Sequence, residues 1–203
     1  MNSEETVAVY DIRSDGEIAL ARLAADGIDA WLAVDDEGGL NPGFFSRYGV
    51  RLIVRCGDVE DAYESLGIEH VTLRAQIADA MFKHSGWAYP DEACGLVAFD
   101  GRGVPALTIC LSNADRADDR FTISPAEQFG ANRLSERCGF SIGAVFHSHP
   151  RSDAYPSDSD IEGGADPEWM HFIVGPVVGP RPLLRAYRIV DGEVAEVKVT
   201  IEE

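Results

Sequence analysis

The chain reads as an α/β protein of the α+β kind, with a small βαββα unit followed by a larger, mostly antiparallel one. Three observations predict this. Amphipathic stretches with helical spacing alternate with short apolar runs of strand length. Asp191-Gly192 separates two β-rich runs near the C-terminal end, a strong hairpin signal. An apolar strand-like run over 141–146 leads straight into His147-Ser148-His149-Pro150.

The elements follow in order. Residues 6–12 form a strand, and Ser14 with Glu17 has the S-x-x-E pattern of a capping box. A helix carrying Ile18, Leu20, Leu23 and Ala24 is stopped by Gly27. Residues 28–34 are a second strand. The stretch 35–49, rich in Asp, Gly, Asn and Pro, is a long loop. Residues 50–56 are a third strand, and 59–66 a short helix ended by Gly67. The spacing of Leu73, Ile77, Ala80, Met81 and His84 predicts a helix over 71–85, with Thr72 as its cap. Two strands follow at 94–99 and 106–111, then a polar loop at 113–119 and a short strand at 121–123. Ser124, Pro125 and Glu127 mark the start of a helix that runs to about Cys138 and ends at Gly139. After the 141–146 strand come strands at 169–174, 183–190 and 194–201. The predicted division is 1–68 and 71–203.

Net charge is −18, from 17 Lys and Arg against 35 Asp and Glu. That excludes nucleic-acid binding through the phosphate backbone, which needs clustered cations. Apolar content is 45%, with no run long enough to cross a bilayer, so no membrane role is expected. The start, Met-Asn-Ser-Glu-Glu-Thr, is acidic and lacks the features of a secretory signal. The expected location is the cytoplasm. Cys56, Cys94, Cys110 and Cys138 have no metal-finger spacing and read as buried thiols.

The chemistry concentrates at 147–160. Side chains at i and i+2 of a strand share a face, so His147 and His149 can offer a nitrogen each to one ion. Pro150 ends the strand because it has no N–H for a ladder. Asp160 lies where the next helix begins. Two imidazoles and a carboxylate are the three-ligand set of a catalytic zinc site with an open fourth position. Asp153 and Asp158 are alternative carboxylates. Glu92, at the junction of a loop and a strand, is placed to take a proton from a bound water and pass it to a leaving amine. Ser157 is the candidate hydroxyl for the oxyanion. Cys94 and His171 read as packed core groups, and His84 as a helix-end histidine.

The spacing H-x-H-P-x6-S-x2-D, with Glu92 upstream in Pro90-Asp91-Glu92-Ala93-Cys94-Gly95, resembles the signature of the JAMM (MPN+) metalloprotease family over about 71–203. The resemblance implies a cytidine-deaminase-like three-layer domain with a mixed, mostly antiparallel sheet between helices. It also implies one Zn2+ per chain on His147, His149 and Asp160, with Glu92 as general acid/base and Ser157 steadying water and oxyanion. Ala154-Tyr155-Pro156-Ser157 is similar to the short bacterial and archaeal members, some of which release a C-terminal cysteine from a sulfur carrier's diglycine end. The implied activity is that of a zinc peptidase or isopeptidase. It would cut after the C-terminal glycine of a ubiquitin-like or sulfur-carrier protein of β-grasp fold. The short stretch between Asp160 and Trp169 departs from the ubiquitin-directed eukaryotic enzymes, which carry an insertion there. Rival readings are a non-catalytic MPN module with a structural metal and an exopeptidase on free short peptides. A homodimer is left open. The part before residue 69 resembles, through "LARLAADGIDAWLAVDDEG" and "VRLIVRCGDVEDAYESL", a small bacterial domain family associated with signal transduction. This implies a ferredoxin-like regulatory or docking role, with Phe44, Phe45 and Tyr48 as docking candidates.

Overall fold

The structure, a computed structural model, describes residues 4–34, 49–163, 166–178 and 182–202. The chain forms two compact units, Met1–His70 and Val71–Glu203.

The first unit runs β1 (Glu4–Tyr10), α1 (Arg13–Ala25), β2 (Ala30–Val34), β3 (Val50–Arg55), a 3-10 turn and α2 (Val59–Leu66). Its sheet has the order β1-β3-β2, with β3 antiparallel to both neighbours. β1 and β2 are therefore parallel, a split βαβ with β3 inserted, as a ferredoxin-like unit requires. Val7, Leu23, Leu52, Val54, Ala62 and Tyr63 make its core. The capping-box expectation fails here. α1 starts at Arg13 with Ile12 as N-cap, so Ser14 is already inside the first turn, and Glu17 pairs with Arg13 at 2.9 Å. Phe44, Phe45 and Tyr48 lie outside the described residues.

The second unit runs β4 (His70–Arg74), α3 (Ala75–Ala88), β5 (Cys94–Phe99), β6 (Pro105–Leu111), α4 (Pro125–Arg137), β7 (Ser141–Ser148), α5 (Asp158–Glu162), β8 (Met170–Gly175), β9 (Leu183–Val190) and β10 (Glu193–Glu202). Its sheet has the order β4-β10-β9-β8-β7-β5-β6. The β7–β8 pair is parallel; β5–β6, β5–β7, β8–β9 and β9–β10 are antiparallel. The sheet is thus mixed and mostly antiparallel. One face packs on α3 through Ile77, Ala78, Met81, Phe146 and Phe172. Leu96, Ile109 and Val145 pack with Ala131 of α4 on the other. This is the three-layer α/β/α arrangement expected. Each such side chain taken fully from water stabilises the fold by roughly 1.5–3 kcal/mol.

Two expectations are corrected. The predicted helix over 71–85 begins four residues late, because Val71 and Leu73 are buried in alternation within β4 and join the sheet beside β10. Thr72 is therefore a strand residue and Arg74 the N-cap. Residues 121–123 run as irregular backbone, with Phe121 and Ile123 packed on the Leu96–Val145 cluster. The predicted caps of α4 hold. Ser124 accepts from the Glu127 N–H at 3.3 Å, and Gly139 takes the left-handed conformation (φ 75°). At the hairpin, Asp191 (φ 52°) and Gly192 (φ 82°) both adopt positive φ, as a type I′ turn demands.

Candidate metal centre

β7 extends past Phe146 and includes His147 and Ser148, so the histidines leave the sheet from the end of a central strand. Its side chains alternate between the two faces: Ala144 and Phe146 pack toward α3, while Val145 points to the α4 side. His147 and His149 share the parity of Val145 and so share its face. His149 keeps its place through backbone bonds: its N–H donates to the Val174 carbonyl at 2.8 Å, and its carbonyl accepts from Val177 N–H at 3.1 Å. Gly175 permits this close approach. A Cβ there would stand 2.8 Å from Ser152 O and 3.1 Å from His149 Cβ.

The polar loop then returns to the strand ends. Tyr187 Oη donates to the Ala154 carbonyl at 2.6 Å and anchors it. Ser157 is the N-cap of α5 and Asp160 its N3 residue, in a reciprocal capping box. Ser157 Oγ and N both donate to Asp160 Oδ2, at 2.6 and 2.8 Å. Asp158, one of the alternative carboxylates, is the exposed first residue of α5 and neither caps it nor joins the trio. Asp153 contributes its backbone: its carbonyl bonds His149 Nδ1 at 2.8 Å.

The structure brings His147, His149 and Asp160 together, with one donor atom from each inside a 4.8 Å span. The two Nε2 atoms are 3.1 Å apart, and each lies 3.3–3.4 Å from an Asp160 oxygen. These spacings fit a common ion. Donors about 2.0–2.1 Å from a tetrahedral zinc stand about 3.3 Å from one another. The tautomer of His149 fits as well. Donation from Nδ1–H to Asp153 leaves the Nε2 lone pair facing its partners, the outer-shell arrangement usual for a metal-ligating histidine. His147 is fully buried and is oriented by Phe121, whose ring stacks on it at 4.7 Å and 23°.

The electrostatics follow from burial. Burial holds the His147 imidazole below its ordinary pKa, against the pull of Asp160. Burial also opposes charge on His149, but bonds to Asp160 and to the Asp153 carbonyl, with the charge of Glu92, outweigh it and raise His149. Desolvation would raise Asp160, yet its bonds to both histidines and to Ser157 hold it far below the usual carboxylate range. The opposed directions make His149 the more basic of the two imidazoles and keep Asp160 the strongest acid of the trio.

Glu92 enters from β5. The register pairs Cys94 with His147 and Gly95 with Phe146. Continued by two residues, it sets Glu92 across from His149. Two bonds extend the ladder that far: Ser148 N to Ala93 O at 3.0 Å, and Ala93 N to Ser148 Oγ at 2.9 Å. Glu92 is only 4% exposed. Desolvation pushes its carboxyl up to about 7; the charge of His149 counteracts this, while those of Asp160, Asp119 and Asp118 add to it. Cys94, two residues on, is buried and its thiol is pushed up to about 12, so it is inert as a nucleophile; the expectation of burial holds for Cys94 and fails for Cys56, Cys110 and Cys138, which are exposed. His171 lies outside the trio, and burial keeps it neutral, with a pKa of about 4. His84 lies before the last turn of α3 and bonds the Leu111 carbonyl of β6 at 2.9 Å, so it ties helix to sheet and is not the helix-end histidine expected. Beside the trio opens a cleft of about 460 Å³, walled by Leu96, Phe121, Val145 and Trp169, with Asp160 and His171 at its polar end.

Three contributors were missed: Ser148, the Asp153 carbonyl and Asn113. The signal for Asn113 was present in part, since an Asn opening a polar loop is a common Asx-turn former.

A His-x-His strand end facing the first turn of a helix, with a buried glutamate opposite, is a group that could hold a metal ion on a three-layer α/β fold. Comparison with known proteins specifies it further. Residues 74–190 match the family described as prokaryotic homologs of the JAB domain. The CysO-cysteine peptidase of Mycobacterium tuberculosis is 34% identical over 134 residues, covering 66% of this chain and 92% of that protein. The desampylase of Haloferax volcanii is 30% identical over 112 residues, 52% of this chain and 81% of that protein. A solution structure from Desulfitobacterium hafniense superposes with a TM-score of 0.60 at 29% identity, over 66% of this chain and 93% of the other. The chain belongs to the prokaryotic JAB-domain family, and so to the JAMM/MPN proteins, and is a JAMM-type hydrolase.

Proposed function

We propose that this chain is a zinc peptidase that hydrolyses the amide bond after the C-terminal glycine of a ubiquitin-like or sulfur-carrier protein. The observation that carries the reading is the convergence of His147, His149 and Asp160 within 4.8 Å, with Asp160 also lining the adjacent cleft. Zinc, when bound, supplies Lewis acidity, polarising a carbonyl and lowering the pKa of water to about 7. Glu92 takes a proton from the attacking water and delivers it to the nitrogen as the C–N bond breaks. A carboxyl raised to about 7 by burial is suited to both transfers near neutral pH. Ser157 holds Asp160 through its hydroxyl and backbone N–H, and that hydroxyl would turn from Asp160 to donate to the developing oxyanion.

The cleft and the relatives support this substrate class. A cleft with both apolar walls (Leu96, Phe121, Val145, Trp169) and polar groups (Arg120, Gln128, Asp160) can take an extended glycine tail, which has no side chains to exclude. The names of two relatives, CysO-cysteine peptidase and desampylase, point to work on protein-borne termini. α5 ends at Glu162 and β8 begins at Met170, which leaves no space for a large substrate-gripping insertion. The first unit is assigned a regulatory or docking role.

The test is metal analysis of the purified chain, followed by mass spectrometry of β-grasp carriers incubated with it. The expected result is about one zinc per chain and loss of the residues beyond Gly-Gly. A zinc-loaded protein that cuts free short peptides and leaves every carrier tail intact would sink the reading.

A further inference from the structure

We propose that Asn113 is the positioning residue for the general base, fastening the backbone of Glu92 to the loop that lays Phe121 over His147. The proposal rests on the role given to Glu92 above.

Asn113 follows the end of β6 and is half-buried. Its Nδ2 donates to the carbonyls of Arg120 at 2.9 Å and Glu92 at 3.2 Å, with Ala117 O at 3.4 Å. Its Oδ1 accepts from the N–H groups of Asp115 at 3.0 Å and Thr122 at 3.2 Å. One carboxamide thus closes the 113–122 loop on itself and joins it to Glu92. The same loop takes the other backbone group of Glu92, whose N–H donates to the Ala117 carbonyl at 2.8 Å. Glu92 lies in irregular backbone between α3 and β5, and both its peptide groups are held by this loop. The far end of the loop carries Phe121, between Arg120 and Thr122, both bonded to Asn113. An ion pair at 2.8 Å, Arg151 to Asp118, ties the loop to the segment after His149.

The chemistry selects asparagine. The site requires two N–H donors and an acceptor on a short, planar group. Aspartate keeps the acceptor and loses both donors, and adds a charge near Glu92. Serine and threonine offer one donor each. A misplacement of the base by a fraction of an ångström costs turnover while leaving substrate contacts in place.

The test uses the full-length zinc-loaded chain and a β-grasp carrier ending in Gly-Gly-Cys. Asn113→Ala and Asn113→Asp are expected to lower kcat by about 10–100-fold, the range for lost orienting partners, with KM and zinc content within about twofold. In a Glu92→Gln background the same substitutions should change the residual rate by less than about twofold. Hydrogen exchange of the metal-free protein gives a readout apart from activity. The amides of Glu92, Asp115 and Thr122 should exchange faster in Asn113→Ala, with β5 and β7 unchanged. Wild-type kcat in both variants, an undiminished effect in the Glu92→Gln background, or accelerated exchange across β5 and β7 overturns the proposal. Full turnover by Glu92→Gln alone overturns instead the reading on which it rests.

Discussion

Replacing Glu92 by Gln separates two consequences of burying one carboxyl, and the sign of the stability effect is set by the direction of its shift. In the folded chain the Glu92 carboxyl titrates near 7, against 4.5 when exposed, because 4% exposure leaves its charge poorly solvated. The folded state therefore holds this proton more tightly than the unfolded state. Below about pH 4.5 both states are protonated and the raised pKa costs nothing. As pH rises from 4.5 to 7 the unfolded chain ionises first, and stability falls. Above 7 the loss is complete and constant. A rise from 4.5 to about 7 corresponds to about 3 kcal/mol. Gln has the same shape and no proton to lose, so Glu92→Gln should match wild type near pH 4 and exceed it by that amount near pH 8. The assay is urea unfolding of the metal-free proteins at several pH values. His149 loses the pull of the Glu92 charge in the variant, so its titration does not cancel, and the same comparison in a His149→Ala background isolates the Glu92 contribution. Parallel stability curves at all pH values would refute the desolvation argument. The same variant should keep its zinc and lose turnover, and loss of zinc would make Glu92 a ligand.

Other outcomes are expected from the same geometry. Ser157→Ala removes a cap and the 2.6 Å bond that orients Asp160, so metal affinity should fall 10–100-fold by competition with a chelating dye. At saturating zinc its turnover should still fall ~10²–10³, and an unchanged rate there would remove the hydroxyl from the chemistry. Because bonding to Asp160 and the Asp153 carbonyl keeps His149 protonated above its ordinary range, zinc binding should release protons and weaken as pH falls through that raised pKa. Calorimetry in buffers of different ionisation enthalpy measures this, and pH-independent affinity would contradict it. Gly95→Ala should destabilise the chain by about 1–3 kcal/mol or more in denaturant unfolding, since a Cβ would meet Ile109 O and a Phe146 ring carbon, each at 2.3 Å.

Much of the site was legible because its ligands obey local rules. The i, i+2 parity of His147 and His149 is a property of any strand, and the spacing from Ser157 to Asp160 is that of one helical turn, although Ser157, not Asp158, proves to be the cap. The elements read least well were those whose fate depends on distant partners. Val71 and Leu73 suit a helix face and a strand equally, and β10, more than a hundred residues away, decides for the strand. Ser14 and Glu17 form a valid capping pattern, but α1 begins two residues too early to use it.

The sequence alone determined the chemistry on offer: two imidazoles, an aspartate and a hydroxyl within fourteen residues, and a glutamate far upstream with no local reason to join them. Tertiary structure decided that it does. The antiparallel register of β5 on β7 sets Glu92 across from His149, and burial in that position raises its pKa. Only folding could also show that Asn113, unremarkable in a polar loop, holds five backbone groups around that glutamate. Local sequence specifies side-chain spacing along an element, whereas register and desolvation arise only when separate elements pack together.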